Sequence, residues 1–303
     1  MIWLKKHFLS IINILCMSFV LIYTPLVAFR QARNYEIYTK PVIDTKIYSI
    51  WHVETFEGGS KPRINYLNSI TRQLEKRYSG ILFHIRTMPP EALASELSVN
   101  QPDIISYGYG VGNLVLHKAI PFDQTYGVRD NLLESGMFNS KLYALPYIAS
   151  GYAVITHGSL TDNVHAGSGY TDISTIASAQ GFNIKESESQ YEAYKDFVYD
   201  KTCTLIGTGR DVFRVSNLKA TGRINASITP IDLYTDLVQY LSIFTYDNLI
   251  EEFISIALSH EQQMTLSSYH LYSVGYNKIY TDGIYNDMEN AIFNCQIPKV
   301  YRG

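Results

Sequence analysis

Trp51, His52, Glu54, Phe56 and Glu57 crowd into one stretch, KIYSIWHVETFEGGS (Lys46–Ser60). Aromatic faces stack on C–H-rich surfaces, and carboxylates accept hydrogen bonds from hydroxyls. These types together suit a small, hydroxyl-bearing polar ligand. The competing assignment puts Trp51 in the core and leaves the carboxylates to cap the next helix, whose dipole favours them there. His52, Glu54 and Glu57 have metal-ligand chemistry, but no second histidine lies nearby, and no metal is expected. A second set, GTGRD (Gly207–Asp211), places Thr208, Arg210 and Asp211 where a helix begins. Free backbone N–H groups at such a point hold polar or anionic groups; the plain alternative is an Arg–Asp pair closing the helix end. Tyr107, Gly108 and Tyr109 follow a short apolar run, Tyr147 and Tyr152 flank a Pro146–Gly151 break, and Tyr234 and Asp236 stand just before another apolar run.

Catalytic readings of the same residues are weaker. Glu54 or Glu57 with Asp211 would supply the carboxylate pair of a glycoside hydrolase, but nothing in the sequence sets their separation. No G-x-S-x-G elbow occurs. GTGR lacks the Lys-Ser/Thr of a phosphate loop, and GYGVGN (Gly108–Asn113) has its third glycine too early for a dinucleotide fingerprint. No catalytic residue and no cofactor are expected.

The elements that must position these residues alternate. Lys46–Val53 reads as a buried strand that breaks at Glu54 into a loop with Gly58 and Gly59. Ile64, Leu67, Ile70, Leu74 and Tyr78 share one face of a helix over Lys61–Tyr78, stopped by Gly80. Ile81–Met88 and Ile104–Tyr107 read as strands, with a short helix at Glu91–Leu97 between them. Thr202–Ile206 is a strand entering GTGRD and a helix, Val238–Phe244 a buried strand, and Glu251–Ser267 one helix. Strand and helix in alternation predict a mostly parallel α/β sheet, whose ligands sit at strand carboxyl ends.

The chain has 303 residues, 46% hydrophobic and 17% charged, which suits a packed globular fold. Its 25 tyrosines are the compositional oddity. Lys5 and Lys6 precede an uncharged run, Phe8–Phe29, ended by Arg30 and Arg33; residues 1–33 are expected to be a signal peptide or membrane anchor. Leu15 before Cys16 is a poor lipoprotein context. Residues 34–303 hold 21 Lys/Arg against 28 Asp/Glu, an acidic balance that argues against nucleic acid. Cys203 and Cys295 are the cysteines outside the N-terminal segment; whether they pair is open at this level.

Four segments together resemble extracellular solute-binding protein family 1 of bacterial ABC importers: IWHVETFEGGS, PDIISYGYGVGN, KLYALPYIASGYAVI and DFVYDKTCTLIGTGRDVFRVSN. The later FISIALSHEQQMTLSSYHLYSV looks like that family's lobe-closing helix. The resemblance implies a two-lobed, type II periplasmic-binding-protein-like α/β fold. The first lobe is expected over 44–148 and 243–303, and the second over 149–242. It implies a ligand cleft between the lobes, closed by a hinge, holding a carbohydrate or similar solute for ABC permease subunits. Contact is expected from the aromatic and polar residues named above. The expected place is the outer face of the bacterial membrane, anchored or secreted. A sensory or interaction ectodomain on the same fold is the alternative role.

Overall fold

The computed structural model describes residues 17–25, 27, 45–158, 164–167, 173–187, 189–199 and 204–301. The chain divides into Met1–Lys46 and Ile47–Gly303. In the first part residues 17–25 are helical. Among the described residues no helix is long and apolar enough to cross a membrane. The rest of the expected signal or anchor segment lies outside the described residues, and so do Cys16 and Cys203. Cys295 is buried as a free thiol, and it donates to the Ile231 carbonyl at 3.5 Å.

Two five-stranded sheets organise Ile47–Gly303. Strands β1 (Lys46–Val53), β2 (Ile81–Met88), β3 (Ile104–Tyr107), β6 (Leu145–Ala149) and β12 (Val238–Ile243) make the first, in the order β2-β1-β3-β12-β6. Strands β7 (Tyr152–Thr156), β8 (Val164–Gly167), β9 (Ile184–Ser187), β10 (Thr204–Thr208) and β11 (Ser227–Pro230) make the second, in the order β11-β7-β10-β8-β9. A small hairpin, β4 (Met137–Phe138) and β5 (Lys141–Leu142), stands apart. This is the two-lobed α/β architecture expected from the sequence, but the sheets are mixed and not mostly parallel, because β12 runs antiparallel to β3 and β6, and β7 runs antiparallel to β10 and β11.

Central strands are covered on both faces and read as unbroken apolar runs: every residue of β3, β6, β10 and β12 is buried. The edges differ. β2 turns His84 and Arg86 outward, and the Arg86 charge discourages pairing with a further strand. Pro230, which cannot donate to a ladder, ends edge strand β11.

Helix Ile64–Arg77 buries Tyr66, Leu67, Ile70 and Leu74, and ends on Lys76 and Arg77, where cations complement its dipole. The single helix expected over 251–267 is instead three pieces: Asn248–Leu258, His260–Met264 and a 3-10 turn, Thr265–Tyr269. Ser259 causes the break. Its backbone is extended and its hydroxyl accepts from Gln262 N at 3.3 Å, so it begins a new helix instead of continuing the old one.

The chain passes from the first sheet to the second between β6 and β7, at Ser150–Gly151, and back between β11 and β12. The return therefore comes at Val238, inside the span expected for the second lobe. The segment after 243 also serves both sheets. Helix Gly283–Asn294 packs on β11, whereas Val300 donates to Ser135 O at 2.8 Å and the Tyr301 hydroxyl lies 3.0 Å from that of Tyr107. The core of the first sheet continues onto one face of the second through Ile155, Leu205 and Val212. A separate cluster of Tyr152, Val164, Ile206, Ile231 and Leu237 covers the other face.

Candidate functional site

β1 and β3 run in parallel with His52 opposite Ser106, so both strands end at the same edge of the first sheet. Side chains alternate along a strand. One face therefore carries Trp51, Ile105 and Tyr107, and the other carries His52 and Ser106. β12 adds Gln239 to the second face, two residues before Leu241, the partner of Ser106. Here a buried polar network forms. His52 Nδ1 lies 2.9 Å from Ser106 Oγ, which is 2.8 Å from the Tyr147 hydroxyl and accepts from Gln239 Nε2 at 2.9 Å. Burial, with the Arg63 charge adding to it, pushes the His52 imidazole down to about 3, so the ring is neutral at physiological pH.

The loop beyond β1 lies against the end of β3. A Cβ on Gly108 would fall 2.1 Å from Thr55 Oγ1 and 3.3 Å from the Phe56 ring, so only glycine allows this approach. Phe56 in turn carries Arg63, whose guanidinium carbon is 4.1 Å from the ring centroid. Arg63 is 5% exposed, and burial pulls its guanidinium below the ordinary value. Leaving such a charge buried without a partner costs several kcal/mol. Stacking on a desolvated aromatic returns only about 2 kcal/mol.

From the second lobe, β10 runs antiparallel to β7, so its end, Thr208, meets Tyr152 at the crossing. Helix Gly209–Ala220 starts there through a capping box: Thr208 Oγ1 accepts from Arg210 N, and Asp211 Oδ2 accepts from Thr208 N at 3.0 Å. A Cβ on Gly209 would lie 2.7 Å from Ser150 Oγ, which measures how tightly this helix start seats on the crossing. Asp211 is fully buried, and it also accepts from Gln190 Nε2 at 2.7 Å and Arg214 Nη1 at 3.1 Å. Burial raises its carboxyl above the usual range despite these donors. Its ion-pair partner is Arg214, one turn on, and not the adjacent Arg210 that the sequence suggested.

Glu57 joins the lobes. Its carboxylate is 3.5 Å from Arg210 Nε and 3.3 Å from Arg214 Nη2. Arg214 also lies over the rings of Tyr191 and Tyr194, at 5.4 and 5.0 Å. With Glu57 39% exposed, each pair is worth about 0–1 kcal/mol, a strength that a hinge can make and break. A second joint sits at the crossing, where the Tyr152 hydroxyl donates to Asp236 Oδ1 at 2.7 Å.

The structure thus gathers His52, Phe56, Glu57, Gly108, Tyr147, Tyr152, Thr208, Arg210, Asp211 and Asp236 around the strand ends. Glu54 is exposed on the same loop, and Tyr109 and Tyr234 are buried nearby in sequence. Trp51 and Tyr107 are not gathered. Trp51 is 4% exposed within the first core, and the Tyr107 hydroxyl bonds to Ser242 and Tyr301 on the opposite face. Among the described residues no three His, Cys, Asp or Glu side chains are grouped to hold a metal, so His52, Glu54 and Glu57 do not make one site. Sequence reasoning passed over Thr55, Arg63, Ser150, Gln190, Arg214 and Gln239. Only Arg214 left a trace, as the i+3 partner of Asp211 on a helix. A shallow cavity of about 340 Å³ opens elsewhere in the first lobe, beside the β4–β5 hairpin at Phe122 and Leu142, and none of the expected site residues lines it.

The fold is that of the two-lobed ABC substrate-binding proteins, the class implied by the resemblance in the sequence. The GacH receptor of Streptomyces glaucescens GLA.O, solved unliganded and with acarbose, matches with a TM-score of 0.58 at 10% identity, over 84% of this chain and 88% of its own. The maltose-binding periplasmic protein MalE from Listeria monocytogenes, solved with maltose, matches with a TM-score of 0.57 at 10% identity, over 85% and 88%. CpMnBP1, solved with mannobiose, matches with a TM-score of 0.58 at 10% identity, over 84% and 91%. No protein-family model and no curated relative matches the chain.

Proposed function

We propose that this chain captures a carbohydrate, or a polar solute like one, between its two lobes and delivers it to an ABC importer. The observation that carries the reading is a set of buried polar atoms without partners in the protein. His52 Nε2, Thr55 Oγ1, Ser150 Oγ and Gln239 Oε1 all belong to residues at the strand ends or the crossing where the two sheets meet. Native proteins leave few such atoms unpaired, and a cluster of them asks for an external partner rich in hydroxyls. The acarbose, maltose and mannobiose held by the neighbouring folds support a sugar. Closure occurs by rotation about the Ser150–Gly151 and Ile231–Leu237 crossings, with Glu57 latching onto Arg210 and Arg214. The chain binds and does no chemistry, works at the outer face of a bacterial membrane, and uses residues 1–33 for export or anchoring.

A thermal-shift screen of the full chain against sugars, amino acids and short peptides tests this. A ligand bound only by the folded state at 100 times its Kd adds about 2.7 kcal/mol and raises the melting temperature. Absence of any shift across the panel, or release of products from a glycan, overturns the reading.

A further inference from the structure

Arg63 is the anomaly of the strand-end cluster. It is 5% exposed, and its Nε has no hydrogen-bond partner. Among the described residues no carboxylate stands within ion-pair distance of it, although the neighbouring acids are engaged elsewhere. Glu57 faces Arg210 and Arg214, and Asp211 takes Arg214, Gln190 and Thr208. Glu54 and Glu57 both act on Arg63, but from beyond ion-pair distance, and Glu54 is turned to solvent. Arg210, from the opposite lobe, is close enough for its charge to be felt by Arg63. The lobes therefore close over three arginines that share two buried or half-buried carboxylates. His52 brings no further charge of either sign, and the Phe56 ring under Arg63 neutralises none.

We infer that the cleft is built for an anionic saccharide, of the uronic-acid class, and that Arg63 receives its carboxylate. This rests on the solute-binding reading and sharpens it. A neutral sugar would satisfy Thr55, Ser150 and Gln239 but leave a buried guanidinium without a direct ion-pair partner on closure. A uronate satisfies both, because its ring hydroxyls match the unpartnered polar atoms and its carboxylate accepts two parallel N–H bonds from the planar guanidinium. An arginine kept for a ligand, and not for the fold, is expected to burden the unliganded protein.

The test compares digalacturonate and diglucuronate with neutral disaccharides of matched linkage, by calorimetry and thermal shift on the full chain and on Arg63→Gln. The expected result is that at least one uronide binds about 10- to 100-fold more tightly than its neutral counterpart, the range of a charge-assisted hydrogen bond. Arg63→Gln should abolish that preference by weakening the uronide at least about 10-fold more than the neutral sugar, with the unliganded melting temperature unchanged or higher. Tight binding of neutral sugars with no preference for uronides overturns the inference and leaves the solute-binding reading standing. A uronide preference that survives Arg63→Gln overturns the role of Arg63. An Arg63→Gln variant that melts well below the parent makes Arg63 structural and overturns it equally. Silence across both sugar classes overturns the inference and leaves the wider solute-binding reading to the screen of sugars, amino acids and peptides.

Discussion

His52 offers a quantitative probe of the buried network, because burial disfavours its protonation in the folded state. Burial, with help from the Arg63 charge, brings its pKa down from 6.5 to about 3. The unfolded chain then binds a proton that the folded chain refuses wherever the pH lies between those values. Stability contributed by neutral His52 is complete above pH 6.5 and is lost progressively as the pH falls toward 3. At pH 5 the loss is set almost wholly by the unfolded value, and amounts to about 2 kcal/mol at 25 °C. His52→Gln removes the titration while keeping an amide that can bond Ser106 Oγ. Urea unfolding of both proteins at pH 8 and pH 5 isolates the effect, since all other titrations are shared. The parent should exceed the variant by about 2 kcal/mol more at pH 8 than at pH 5. A gap that stays constant across this range would mean that His52 accepts a proton in the folded state, and the account of a buried, neutral His52 in the polar network would fail.

Two further outcomes follow from the loop after β1. Gly108→Ala pushes a methyl group to 2.1 Å from Thr55 Oγ1 and should cost about 1–3 kcal/mol in denaturant unfolding, as overpacking does; a cost near zero would remove this close approach from the account of the cleft. Glu57→Gln should change stability by at most about 2 kcal/mol, because its two pairs are half-exposed and each is worth about 0–1 kcal/mol. It should nonetheless enlarge the ligand-free radius of gyration measured by X-ray scattering as the lobes part, and an unchanged radius would show that Glu57 is no latch.

How far the residues spoke for themselves depended on whether their signals were local. The strand at Lys46–Val53, the helix after it and the helix start at Thr208–Asp211 were legible, because apolar period and glycine breaks act over a few residues. The break at Ser259 was equally local but was outweighed by the long apolar period around it. In β1 the competing faces could not be told apart, because a central parallel strand is covered on both sides and polarity does not alternate along it. Trp51, the more conspicuous residue, went to the core, and its neighbour His52 went to the polar network.

The sequence by itself determined the alternating α/β elements and the loop chemistry after β1 and β10. Those depend on backbone preference and side-chain type within a few positions. Only the tertiary structure decided which of these loops meet. Glu57 finds Arg210 and Arg214 across more than 150 residues of chain, and Gln239 reaches Ser106 from a returning strand that reads only as an apolar run. Arg63 looks in sequence like an ordinary solvated cation at a helix start. It becomes a buried charge because Phe56 lies beneath it and the second lobe lies nearby, and no local pattern records either.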